Sequence, residues 1–236
     1  MAEATAIKKT TETRRVEEVT LNQKIYEFIQ KNRKILLISL IVLVAILVGL
    51  IVAVTVQERT RANAFGQVDA LNRRYNELRI HLANGDIIRQ AEALILLGDL
   101  RDFQSRASGF PAARAYALSG GLYTEMQMWP EAEAAWLNAA RAARRNYFAP
   151  IALFNAGVAA EEQGNIQAAI GFYAEAIGFG DVFPFAARAQ FAIGRLEEER
   201  NNWEAALGAY RTLLARWPHD PVWANFAQNR IIMLSE

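Results

Sequence analysis

The sequence predicts an all-α protein, one apolar helix of membrane-spanning length followed by a solenoid of helical hairpins. Three observations carry that prediction. Residues 35–56 run for 22 positions without a charged side chain. Beyond residue 57 the chain is rich in Ala, Leu, Glu, Arg and Gln, which favour helix, and poor in the Val, Ile and Thr runs that build strands. Gly120, Gly157 and Gly194 stand 37 residues apart, and self-similarity at a fixed spacing of roughly 20–50 residues marks a solenoid.

Residues 1–34 carry eight Lys/Arg against five Asp/Glu, a net of +3. Residues 1–19 are polar and expected to be irregular. Leu21, Ile25, Phe28 and Ile29 then recur at helical spacing beside basic residues. That pattern suits a short amphipathic lead-in resting on lipid headgroups; a cytoplasmic partner is the alternative.

Ile35 to Val56 reads as a transmembrane helix, since 22 residues at about 1.5 Å each span about 33 Å, the thickness of a hydrocarbon core. A cleaved signal peptide fits less well: the run exceeds the usual apolar region of about 7–15 residues, and 34 residues precede it. Lys24, Lys31, Arg33 and Lys34 precede the run, and only Arg59 and Arg61 closely follow it. The excess of positive charge predicts an N-terminus in the cytoplasm and the large domain outside, which at an inner membrane is the periplasm.

Residues 57–112 read as a stalk helix and a degenerate hairpin. Phe65, Val68, Leu71, Tyr75, Leu78 and Leu82 give one apolar helical face, ended by Asn84-Gly85-Asp86. A second helix should run from Ile87 to about Phe103, before Ser108-Gly109-Phe110-Pro111 breaks the chain.

Between residues 113 and 220 the repeat is in register three times. Twelve residues beyond Gly120, Gly157 and Gly194 come Ala132, Ala169 and Ala206, and four further on Trp136, Tyr173 and Tyr210. The small residues are expected where two helix backbones pass closely, and the aromatic is expected between adjacent hairpins. Gln163-Gly164-Asn165 and Arg200-Asn201-Asn202 read as turns within hairpins, with breaks at Ala149-Pro150, Phe183-Pro184 and Trp217-Pro218. Residues 221–236 read as a capping helix, with Trp223, Phe226 and Ile231 on the last repeat and Asn225, Gln228 and Arg230 in water.

These positions resemble the tetratricopeptide repeat family, whose pattern of small residue, Ala, aromatic and Ala is met by 113–146, 150–183 and 187–220. The chain departs from it with Tyr116, Leu153 and Gln190 at the usual Trp position, and with Leu213 for the last Ala. The resemblance implies a protein-binding groove lined by the first helix of each repeat. By that register the exposed positions are Arg114, Leu118, Thr124 and Glu125; then Phe154, Asn155, Val158, Glu161 and Glu162; then Arg188, Phe191, Arg195, Glu198 and Glu199. Phe154 and Phe191 occupy equivalent places and read either as groove anchors or as packing between hairpins. The two Glu pairs read as a solvated rim. A carboxylate clamp of the kind some family members carry would use Asn155 and Arg188, but Ala117, Gly121 and Ala192 stand where its other members fall.

The order of charged N-terminus, span and repeats is also similar to the YfgM-like group of bacterial proteins. That implies translocon or periplasmic chaperone components as partners, in protein export or envelope assembly. Self-association of the chain is a second expectation, and a cytosol-facing receptor a third.

Enzyme chemistry finds little support. There is no cysteine, and His81 and His219 have no ligand partner at helical spacing. Neither a phosphate-binding glycine loop nor any other cofactor signature is present, and Glu197-Glu198-Glu199 reads as a solvated charge run. Residues 57–236 carry 18 Arg against 20 acids, a net of −2, which disfavours nucleic acid.

Overall fold

The structure is a computed structural model that describes residues 2–82, 87–144 and 146–235, with the side chains of 23–79, 89–144 and 146–235. The expected turn at Asn84-Gly85-Asp86 and the side chain of His81 lie outside the described residues. Every regular element among them is helical. The chain divides into two compact units, Met1–Arg61 and Ala62–Glu236.

The first unit is made by helix α1 (Ala2–Leu82), whose last turns, residues 62–82, belong to the second unit. Residues 2–19, expected to be irregular, are helical, as the Ala, Glu, Lys and Arg among them permit. The run 35–56 is exposed on every face, and its helix is long and apolar enough to cross a membrane by length and composition. Its two hydroxyls are satisfied within the helix. Ser39 Oγ donates to Leu36 O at 2.9 Å and Thr55 Oγ1 to Ile51 O at 2.8 Å, so neither needs water.

The second unit is a run of antiparallel helices. Residues 62–82 of α1 and α2 (Ile87–Arg106) share one apolar cluster with α3 (Gly109–Glu125), in which Val68, Leu96, Leu100 and Leu122 are fully buried. Arg74 Nη1 to Asp99 Oδ2, 2.5 Å, ties α1 to α2, and Gln104 Nε2 donates to Ser119 Oγ at 2.8 Å between α2 and α3. Three hairpins follow: α3 with α4 (Trp129–Ala143), α5 (Phe148–Glu162) with α6 (Ile166–Ile177), and α7 (Ala186–Glu199) with α8 (Trp203–Arg216). The break between the first two precedes Phe148, not Ala149-Pro150, because Pro150 sits in the first turn of α5, where a missing N–H costs nothing.

The turn inside each hairpin contains one residue in the left-handed region, at a spacing of 37: Gln127 (φ 55°), Gly164 (φ 71°) and Asn201 (φ 58°). Glycine adopts this region freely, Asn tolerates it, and Gln enters it at a cost of about 1 kcal/mol. Gln127→Gly should therefore stabilise the fold by about 1 kcal/mol and Asn201→Gly by less. Paired urea titrations check this; a loss at Gln127 would mean its side chain holds the turn.

Helix α9 (Trp223–Ser235) closes the stack. Asp220 Oδ1 accepts from the backbone N of Val222 and Trp223, at 3.0 and 2.8 Å, capping the donors that begin the helix. Trp223 and Ile231 pack on the α8 cluster of Tyr210 and Leu213. Arg230, expected in water, turns inward to Glu198 of α7.

Candidate functional site

The three hairpins share one local design, built from a glycine, an aromatic ring and a polar acceptor. A Cβ on Gly120 would stand 2.8 Å from the Trp136 ring, and one on Gly157 or Gly194 would stand 2.5 Å from Cε1 of Tyr173 or Tyr210. The aromatic therefore lies across the first helix of its own hairpin, and glycine is required by the ring rather than by the opposing backbone. Tyr173 and Tyr210 also share a core cluster with the helix that follows the hairpin. Ala132, Ala169 and Ala206, one turn earlier on the second helix, are fully buried.

The polar head of each ring reaches an acceptor on the helix that carries the glycine. Trp136 Nε1 donates to Thr124 Oγ1 at 3.4 Å, Tyr173 Oη to Glu161 Oε2 at 3.1 Å, and Tyr210 Oη to Glu198 Oε1 at 2.5 Å. In the last two hairpins an arginine of the following first helix completes the chain. Arg195 Nη2 reaches Glu161 Oε1 at 2.5 Å; Arg230 Nε reaches Glu198 Oε1 at 3.0 Å, and its Nη2 bonds Oε2. Burial pushes the Tyr210 phenol up to about 12, partly opposed by the Arg195 charge, and burial with the Glu161 charge drives Tyr173 higher still. Both phenols therefore stay protonated donors at neutral pH.

The residues expected on a groove divide accordingly. Phe154 is 6% exposed, with ring centroids of Tyr173, Phe185 and Phe183 at 5.3, 5.8 and 6.1 Å. Phe191 is half-buried against Tyr210 and Trp223, each at 5.3 Å, and Phe226 at 6.0 Å. Both rings pack between hairpins. Leu118 and Glu198 are also buried, so neither is on the surface that register assigned them, and Glu198 is no solvated rim. Arg114 is paired to Asp69 of α1 at 2.6 Å, and Asn155 Nδ2 donates to Ile151 O at 3.0 Å. Glu162, Arg188, Arg195 and Glu199 remain exposed, with the Arg188 guanidinium 5.1 Å over the Phe154 ring.

Register alone missed two contacts. Gly121 lies under Tyr75 of α1, whose Oη would be 2.6 Å from a Cβ there. The pair Gly120-Gly121 inside a helix was the available signal, since glycine weakens a helix unless something approaches closely. Arg230 was the other. Among the described residues no three His, Asp or Glu side chains gather as a metal site.

The pattern that defines the tetratricopeptide repeat matches residues 122–182 and 179–221. A "TPR repeat-containing protein" of Treponema pallidum (strain Nichols) is 32% identical over 229 residues, covering 90% of this chain and 93% of that one. The chain belongs to the tetratricopeptide repeat family. Among solved structures, this tetratricopeptide protein is similar to the "Arabidopsis OM64 TPR domain", at 18% identity and TM-score 0.43 over 52% of this chain and 97% of that one. It is also similar to BtubC (BKLC) from P. vanneervenii, at 18% identity and TM-score 0.41 over 67% and 76% of the two chains. The tetratricopeptide assignment brings with it a scaffold suited to binding other proteins.

Proposed function

We propose that the chain is a non-catalytic, membrane-anchored scaffold whose repeats hold a protein partner on the periplasmic side of the inner membrane, in protein export or envelope assembly. The observation that carries the anchor is the uncharged run 35–56, exposed on every face, in a chain whose second unit has its own core. Nineteen Ile, Leu, Val and Ala side chains in water are unfavourable at about 25 cal/mol per Å² of apolar surface, and a bilayer removes that cost. The flanking basic residues support the orientation.

Protease added to intact spheroplasts should digest the repeats and spare a fragment containing residues 1–56. Protection of the repeats until the membrane is broken would place the domain in the cytosol and end the periplasmic proposal. A photocrosslinking side chain at exposed Glu162 or Arg188 should give discrete adducts in the living cell, and failure at both would end the proposal that this face holds a partner.

A further inference from the structure

A cleft of about 360 Å³ opens between α4, α5 and α6, bordered by second helices and away from the charged residues of α5 and α7 discussed above. Its floor is apolar: Leu137, Leu153, Phe172 and Phe179. Its rim carries exposed Arg141 and Arg144 from the last turn of α4 and its cap, against one carboxylate, Glu175. Neither arginine is in an ion pair among the described residues, and Arg141 is held only by Asn138 Oδ1 at 3.0 Å. The next junction of the stack lacks all of this. Thirty-seven residues on, Gly178 and Asp181 replace the two arginines, while Gln190 and Ala209 replace Leu153 and Phe172. There the buried Gln190 Nε2 donates to Ala209 O at 3.1 Å. The cleft is thus a departure from the repeat, which hairpin packing alone does not demand.

We infer that this cleft binds a short segment of a protein partner in which a carboxylate adjoins a bulky apolar side chain. The apolar group covers the floor, and the carboxylate meets two guanidinium groups that no acid among the described residues engages, carboxylate being the partner that the guanidinium fork matches. At this volume the cleft takes one or two side chains and is too short to sheath an acyl chain. Glu175 opposes polyanions, so the site selects a single negative charge. The inference rests on the repeat unit being a protein-binding scaffold and adds a second surface to it.

The test uses the full-length chain in detergent micelles and a fluorescein-labelled peptide ending in Glu-Leu-Phe amide, whose glutamate is its one carboxylate, followed by anisotropy. Saturable binding is expected, weakened about tenfold or more by R141A/R144A and by a Gln-Leu-Phe amide peptide, and changed less than about twofold by R188A. Both substituted arginines are exposed, so the fold is not at stake. Absence of binding, or binding indifferent to the double substitution or to the peptide charge, overturns the cleft. Binding weakened by R188A alone overturns it too, yet leaves the scaffold standing, whereas failed crosslinking on the other face leaves the cleft standing.

Discussion

Gly157→Ala should destabilise the repeat unit by about 2 kcal/mol, although the same change at an open helical position stabilises. The new Cβ would lie 2.5 Å from Tyr173 Cε1 and 2.7 Å from Cδ1. The ring has nowhere to retreat. It is 1% exposed, packed on Phe154 and held by its hydrogen bond to Glu161. Overpacking typically costs about 1–3 kcal/mol, and a rigid, tethered ring belongs at or beyond the upper end, which outweighs the roughly 1 kcal/mol that Ala gains over Gly in helix. Gly171, on α6 with nothing within 4 Å of an added Cβ, provides the control, and Gly171→Ala should gain up to about 1 kcal/mol. All five tryptophans fall at or after Trp129, so their fluorescence reports on the repeats alone in the intact chain. The expected fall in Tm is about 4–8 °C for Gly157→Ala, with a rise for Gly171→Ala. Equal effects at the two glycines would show that the ring yields and that the close approach is not what requires glycine.

Arg230→Ala should cost about 2–3 kcal/mol, below the range for a fully enclosed ion pair because the arginine side chain is 37% exposed. Glu198, 9% exposed, would be left with the Tyr210 hydroxyl as its one remaining donor among the described contacts. The penalty is that of a stranded negative charge, so a second substitution should reverse part of it. Glu198→Gln in the Arg230→Ala background should recover about 1 kcal/mol or more, since an amide can keep the tyrosine hydrogen bond without the charge. A two-by-two urea titration measures this. If the double variant is less stable than Arg230→Ala alone, a stranded charge is not the source of the loss.

Much of the fold was legible because it rests on periodicity. The run 35–56 and the 37-residue spacing of Gly120, Gly157 and Gly194 are one-dimensional signals, and the three hairpins follow from them. The candidate site was less legible for physical reasons. Register states which side of a helix a residue occupies but not what packs there, so Phe154 was open to two interpretations until Phe183 and Phe185 were seen to cover it. Glu198 and Arg230 each read as solvated because charge in isolation favours water; they are brought together across 32 residues by the docking of α9. Tyr75 over Gly121 is likewise a tertiary pairing with no sequence period behind it.

The side-chain links between successive first helices have a gap with mechanical meaning. Asp69–Arg114 joins α1 to α3, Glu161–Arg195 joins α5 to α7, and Glu198–Arg230 joins α7 to α9. Among the described residues no side-chain hydrogen bond or ion pair joins α3 to α5: Thr124 stands where its successors have Glu161 and Glu198, and Val158 stands where α7 has Arg195. The polar tie across that seam is carried instead by Gln163 at the end of α5, whose Nε2 donates to Glu133 Oε2 of α4 at 2.7 Å, so a load on the repeats is resisted there by a neutral amide on a carboxylate and at the other seams by ion pairs.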